Sequence, residues 1–300
     1  MMLPMPYEGL VYRPPSEAGS LLLEFTTGCS WNRCRFCAMY KRPGQPPFRV
    51  RPLAYVRRYL DRIPPEALGR MWRGRIFLLS GDALAAPASH LLELLEYLRE
   101  RFGEHLERVS AYGSARALRD KSLEDLRRMR ELGLRLVYFG LESGDDQTLR
   151  LARKGASAAQ QLEAALRAQE AGMELSVMVL LGLGGRSLSR QHAKGTARLL
   201  NRIQPRYLAA LTLMLEPHCE YYEMWQRGEF QPLSPPEVLQ ELLWLVEDLE
   251  LRDTLFRTNH ASNYLPLGGH LPRDRRRILE VLRAALAGHL SLRPEFLRAL

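Results

Sequence analysis

Cysteine is scarce in this chain, with four among 300 residues. So few thiols exclude a disulfide framework as the basis of the fold, and 46% apolar residues supply a conventional core instead. Long apolar runs are missing as well. None approaches the ~20 residues that a membrane-spanning helix needs, so no membrane association is expected. The opening stretch "MMLPMPYEGLVYRPP" has no basic segment followed by an apolar one. A secretory leader is therefore not expected, and cytoplasmic residence is, where thiols stay reduced. Lysine is rare too: Lys41, Lys121, Lys154 and Lys194 are four of the 43 basic residues. The remaining arginines are spread along the chain and give a formal charge of +9, which invites a phosphate-bearing partner. The densest basic run, Arg273–Arg277, falls where a helix is expected to open. Cations there face the positive end of the helix dipole, an arrangement that calls for an anion nearby.

What the chain does have is a repeated unit: a short apolar run, a turn, then an amphipathic segment. Runs at 20–28, 75–81, 107–113, 134–140, 173–182 and 206–215 read as strands, and most of them end in glycine. The segment "SHLLELLEYLRERFG" places leucines on one helical face. "SLEDLRRMRELG" opens on a Ser-x-x-Asp cap and stops at Gly133. Six strands alternating with helices predict an α/β fold with a parallel sheet, either an open six-stranded barrel or a doubly wound sheet. The organisation expected is a lead-in over 1–19, a core over 20–215 and a helical extension over 216–300. That extension carries a polar loop over 256–273.

Three of the four cysteines crowd into "GCSWNRCRFC", at Cys29, Cys34 and Cys37. They directly follow the first predicted strand, and ligands gather at the C-terminal ends of parallel strands. Three thiolates on one loop suit a soft metal centre. A structural zinc would need a fourth ligand and a second paired knuckle, which is missing. An iron–sulfur cluster held by three cysteines keeps one iron open to an exogenous ligand. A non-catalytic iron–sulfur electron carrier or sensor, and a zinc-stabilised RNA-binding protein, stand as alternatives to an enzyme.

The stretch Cys34, Arg35, Phe36, Cys37 resembles the second half of the C-x-x-x-C-x-Φ-C signature of radical S-adenosylmethionine (SAM) enzymes, Φ being aromatic. The first gap departs from that signature, because four residues, "SWNR", separate Cys29 from Cys34. The resemblance implies a partial (β/α)6 TIM-like barrel over about 20–215. It implies that Cys29, Cys34 and Cys37 ligate a [4Fe–4S] cluster and that the open iron chelates SAM. Reductive cleavage of SAM would then give a 5′-deoxyadenosyl radical that abstracts hydrogen from a substrate. A flavodoxin- or ferredoxin-type protein would supply the electron. The substrate class stays open among small molecules, peptides and RNA.

The same resemblance assigns SAM contacts to Phe36 and Tyr40 on the loop, and to Gly81 and Asp82 after the second strand. Ser114 after the third strand, Glu142 after the fourth, and Arg153 and Lys154 downstream complete the set. Cys219, after the sixth strand, and His260, in the polar loop, are the candidate catalytic side chains. They would act as a hydrogen-atom donor and a general acid or base respectively.

Overall fold

The computed structural model describes residues 7–299. The first six residues of the expected lead-in, and Leu300 at the end of the expected extension, lie outside the described residues. Within each compact unit, hydrogen bonding places the main-sheet strands beside their sequence neighbours. The described residues fall into two compact units. One holds the described residues up to Asn32, Met39–Phe139 and Glu163–Leu175; the other holds Arg33–Ala38, Gly140–Leu162 and the chain from Ser176.

In the first unit, β1 (Leu21–Leu23), β2 (Arg75–Leu78) and β3 (Arg108–Gly113) are followed by β4 (Leu134–Glu142), whose last three residues belong to the other unit. These strands pair in parallel, with Leu22 opposite Phe77, Phe77 opposite Ser110 and Ala111 opposite Val137. Near-continuous apolar character lets strands be buried on both faces, and Ile76, Phe77, Val109, Ala111 and Val137 are all fully buried. The helix Ala88–Phe102 buries Leu91, Leu94, Leu95, Leu98 and Phe102, the face expected from their spacing. Ser122 and Asp125 form the reciprocal cap that opens Leu123–Glu131. Glu17, fully buried, accepts from the Tyr138 hydroxyl at 2.7 Å and from Arg108 at 2.9 Å. A buried carboxylate persists because such donors satisfy it.

In the second unit, β5 (Glu174–Leu181, entering from the first), β6 (Tyr207–Thr212) and β7 (Thr254–Arg257) pair in parallel, and β8 (Gly268–Leu271) closes antiparallel on β7. All six strands expected from the sequence are present. The C-terminal part is helical at Glu220–Gln226, Pro235–Glu247 and Arg275–Leu286. It also adds β7 and β8, which flank the loop 258–267 within the stretch expected as a polar loop over 256–273.

The Arg273–Arg277 run does open a helix. Its cations are absorbed by the protein, however, and no anion is needed to explain them. Arg275 donates to the carbonyls of Val246 and Glu247 at the end of Pro235–Glu247, where unpaired carbonyls favour a cation. Arg277 donates to the Gly268 carbonyl at 2.6 Å, and Arg276 pairs with Glu280 at 2.9 Å.

Candidate active site

The first cysteine is set by the turn that ends β2. Gly81 donates its N–H to the Gly28 carbonyl at 3.0 Å, which lays the start of the cysteine loop along that turn. A Cβ at Gly81 would lie 2.6 Å from the Tyr40 ring and 2.9 Å from the Cys29 Cβ. Only glycine fits beneath the two side chains, so close backbone approach is a built feature here. The Tyr40 ring also meets Tyr12 edge to face at 5.6 Å, and its carbonyl accepts from Asn32 at 3.0 Å. Tyr40 is thereby packed into the loop. Trp31 carries the Arg116 guanidinium over its ring at 4.6 Å.

Asp82 is 1% exposed. Its carboxylate accepts from Ser30 Oγ at 2.6 Å, Ser114 Oγ at 2.7 Å and Ser114 N–H at 2.9 Å. The carboxylate that the resemblance assigns to the cofactor thus also ties the cysteine loop to the end of β3. Ser114 is occupied in the same way: its hydroxyl oxygen also accepts from Ala117 N–H and caps the short helix Ala115–Arg119.

Cys34 and Cys37 share a tight turn in which Cys37 N–H donates to the Cys34 carbonyl at 3.4 Å. Arg35 pins that turn. Its N–H donates to Ala152 O at 2.9 Å, its carbonyl accepts from Tyr221 N–H at 3.0 Å, and its guanidinium pairs with Glu220 at 2.9 Å. Phe36 packs against an apolar cluster containing Ala38, Ala152, Leu183, Cys219, Tyr221 and Phe230. The Tyr221 and Phe230 rings stack at 4.3 Å. Cys219 is fully buried in this cluster. Cys219, a candidate catalytic thiol in the sequence, packs here as a small hydrophobe does.

Cys29, Cys34 and Cys37 are all half-buried thiols. No group of three or more His, Cys, Asp or Glu side chains among the described residues is arranged to hold a single metal ion. Thiolates of a cubane cluster bind different irons, so they do not converge as ligands of one ion do. The donor set, three cysteines and no histidine on one loop, fits a cluster.

Glu142 and Lys154, both assigned to the cofactor by resemblance, are brought together at 3.1 Å and are mostly buried. The pair lies flush on the backbone of β4: a Cβ at Gly140 would meet Glu142 Oε1 at 2.6 Å and Lys154 Nζ at 3.2 Å. Glu142 has φ +60°, and Ser80, at the end of β2, has φ +93°. Left-handed backbone at non-glycine residues is costly, and its presence at two strand ends marks places where direction matters more than comfort. Arg153, also left-handed at φ +50°, turns outward and pairs with Glu220 at 3.0 Å.

The polar stretch around His260 is consumed by its own fold. Asn263 donates to the carbonyls of Ala210 and Thr258 and accepts from Thr212 Oγ1 at 2.8 Å. Ser262, fully buried, accepts from Thr212 N–H. Ser262 N–H in turn donates to His260 Nδ1 at 3.2 Å. His260, the candidate acid or base, thus also braces the loop through its Nδ1. Burial, and then the Arg293 cation, hold its pKa below the ordinary 6.5. As pH falls, the unfolded chain takes this proton first, so the contribution is complete above about 6.5 and fades below it. On going from about pH 7.5 to about 5.5, the unfolding midpoint of wild type should fall further than that of His260→Asn. Parallel falls measured by circular dichroism would refute this account.

One buried group was not legible in the sequence. Glu241, fully buried, accepts from Gly182 N–H at 2.6 Å and from Ser189 Oγ, and stands 3.6 Å from His192 Nε2. His192 Nδ1 meets Ser143 Oγ at 2.8 Å. Burial raises the Glu241 pKa against the opposing pull of His192. The chain thus links the turns after β4 and β5. Its only sequence trace is a lone carboxylate inside the apolar run "LQELLWLV".

A cysteine loop set against the strand ends of a parallel α/β sheet defines a class of protein that builds a soft metal centre at its ligand-binding edge. Residues 23–200 match the Radical SAM superfamily, and the chain belongs to that superfamily, whose enzymes use a [4Fe–4S] cluster and SAM. Among curated proteins, the tRNA uridine(34) acetyltransferase of Methanocaldococcus infernus is 25% identical over 120 residues. That match covers 40% of this chain and 22% of the relative. Among solved structures, methylornithine synthase has a similar fold, with a TM-score of 0.52 at 16% identity. The similarity covers 77% of this chain and 63% of that one. A radical SAM methyltransferase from Kitasatospora setae also gives 0.52 at 16% identity, over 66% of this chain and 37% of its own. Among the described residues no helix is long and apolar enough to cross a membrane.

Proposed function

We propose that this chain is a radical SAM enzyme in which Cys29, Cys34 and Cys37 hold three irons of a [4Fe–4S] cluster. When bound, the two cofactors supply a one-electron reductive cleavage whose carbon-centred radical removes hydrogen from a substrate. The observation that carries this reading is the packing of Cys29 directly on Gly81. The first thiol lies against the turn that approaches SAM in the family. Glu142 and Lys154 offer a carboxylate and an ammonium side by side at the end of β4, suited to the hydroxyls and carboxylate of SAM. Phe36 and its apolar neighbours back the Cys34–Cys37 turn and limit its access to water. A flavodoxin- or ferredoxin-type partner supplies the electron. The substrate is drawn from small molecules, peptides or RNA.

Anaerobic reconstitution with iron and sulfide, followed by dithionite and SAM, tests this. About four irons per chain and formation of 5′-deoxyadenosine are expected. Stoichiometric zinc with no SAM cleavage after reconstitution would overturn it.

A further inference from the structure

Glu142 stands at the centre of a three-residue turn, because Ser143 N–H donates to the Leu141 carbonyl at 2.8 Å. With φ at +60°, this is the strained form of such a turn. Strain of that kind survives only where the surroundings over-determine it. Here they do. The Ser143 carbonyl accepts from Gln161 Nε2 at 3.0 Å, and Ser143 Oγ accepts from Asp145 N–H at 3.0 Å. Gly144 N–H donates to Thr196 Oγ1 at 2.9 Å, and a Cβ at Gly144 would strike the Gly195 carbonyl. The turn after β4 is thus laid directly on the helix Gly185–Ile203.

The turn after β5 opens that same helix, and one buried chain of side chains fastens both turns. At the β5 end, Glu241 accepts from Gly182 N–H at 2.6 Å and from Ser189 Oγ. In the middle, His192 Nε2 stands 3.6 Å from the Glu241 carboxylate. At the β4 end, His192 Nδ1 meets Ser143 Oγ at 2.8 Å.

Two simpler readings fit less well. Serine, histidine and carboxylate in this order resemble a nucleophile relay. Ser143 and Glu241 are fully buried, however, and His192 is 2% exposed, so no substrate reaches the hydroxyl. Stability alone is also a poor reason for the chain. A buried carboxylate must offset a large desolvation cost, and an apolar residue of similar volume often serves as well or better. The helix Pro235–Glu247 already gives Val238, Leu239, Leu242 and Leu245 to the core. A carboxylate among them is explained by what it holds.

We infer that Ser143, His192 and Glu241 are positioning residues that lock the turns after β4 and β5 into one unit and so fix the direction of Glu142. They act through Glu142 and through the backbone of the Gly182–Gly185 turn. The aim of Glu142 at SAM rests on the function proposed above, whereas the coupling of the two turns does not.

Hydrogen exchange of the full-length, cofactor-free protein, read on peptides covering 140–148 and 180–188, tests the coupling. Ser143→Ala cuts the chain at the β4 end. Glu241→Leu cuts it at the β5 end and leaves an apolar side chain in place. Each should speed exchange in both turns, by about two- to tenfold in the turn remote from the change, the worth of one hydrogen bond. After reconstitution, both variants should keep about four irons per chain and bind SAM about fivefold or more weakly in equilibrium dialysis. Leu199→Ala, buried on the same helix but outside the chain, should lower the unfolding midpoint and leave the SAM Kd unchanged. Should Glu241→Leu fail to fold, the effect of Ser143→Ala on 180–188 decides. Faster exchange confined to the altered turn would overturn the proposal. So would unchanged SAM affinity in both variants beside a wild type that binds, or equal weakening in Leu199→Ala. A wild type that binds no SAM, yet shows the reciprocal exchange effects, would instead strike the proposed function and leave the coupling established.

Discussion

Cys34→Ala is expected to fold as wild type does and, after anaerobic reconstitution, to fall from about four irons per chain to less than one. Production of 5′-deoxyadenosine should vanish with the iron. Two thiolates cannot replace three, because each would ligate its own iron and the remaining corners would be left to solvent. The scaffold should survive, since the turn is held by backbone groups of Arg35 and its pair with Glu220 rather than by the sulfur. Cys219→Ala supplies the contrast. That residue is fully buried among Ala38, Tyr221 and Phe230, so truncation should cost about 1 kcal/mol in stability and leave iron content unchanged. Iron analysis on both variants decides the matter. Equal loss in the two would make Cys219 a ligand and overturn the three-cysteine assignment.

The parts of this fold that were legible in the sequence are those whose causes are local. Six apolar runs became six strands because a parallel strand needs apolar residues on both faces, whatever its partners. The Ser122–Asp125 cap was readable for the same reason, as both halves lie within one turn. Illegible features depend on partners far away in the chain. Asp82 looks like an acceptor waiting for a ligand until Ser30, 52 residues earlier, is seen to fill it. Thr258, Ser262 and Asn263 look like a substrate rim, yet Thr258 and Asn263 donate to backbone carbonyls, and Ser262 and Asn263 accept from Thr212. Sequence reports which polar groups are present, and folding decides which are left over. Gly81 and the Glu142–Lys154 pair sit between these cases: residue types and strand-end positions were readable, but the close packing and the ion pair were not.

Asp82→Ala should destabilise the cofactor-free protein by about 3–5 kcal/mol, the range for breaking a buried charged network on one side. Three donor groups from Ser30 and Ser114 would lose their acceptor inside the protein. The loss reaches further through Lys121, which is 5% exposed and donates to the Leu84 and Ala117 carbonyls. Burial lowers the Lys121 pKa, and Asp82 is the foremost of the carboxylates that oppose that fall. Removing Asp82 therefore takes away the foremost counter-charge of a buried cation as well as the acceptor of three dipoles. Asp82→Asn keeps volume and one acceptor, so an intermediate loss is expected. The experiment also separates an anchor from a cofactor contact. An anchor shows its effect in urea unfolding of the apo chain, before SAM is present. A residue that only touched the ammonium of SAM would leave the apo midpoint unchanged and weaken SAM binding instead. An unchanged urea midpoint in Asp82→Ala would return Asp82 to the cofactor. A lowered midpoint, with iron retention reduced because Ser30 no longer holds the segment next to Cys29, would establish that the cysteine loop is fastened from beneath by a buried carboxylate.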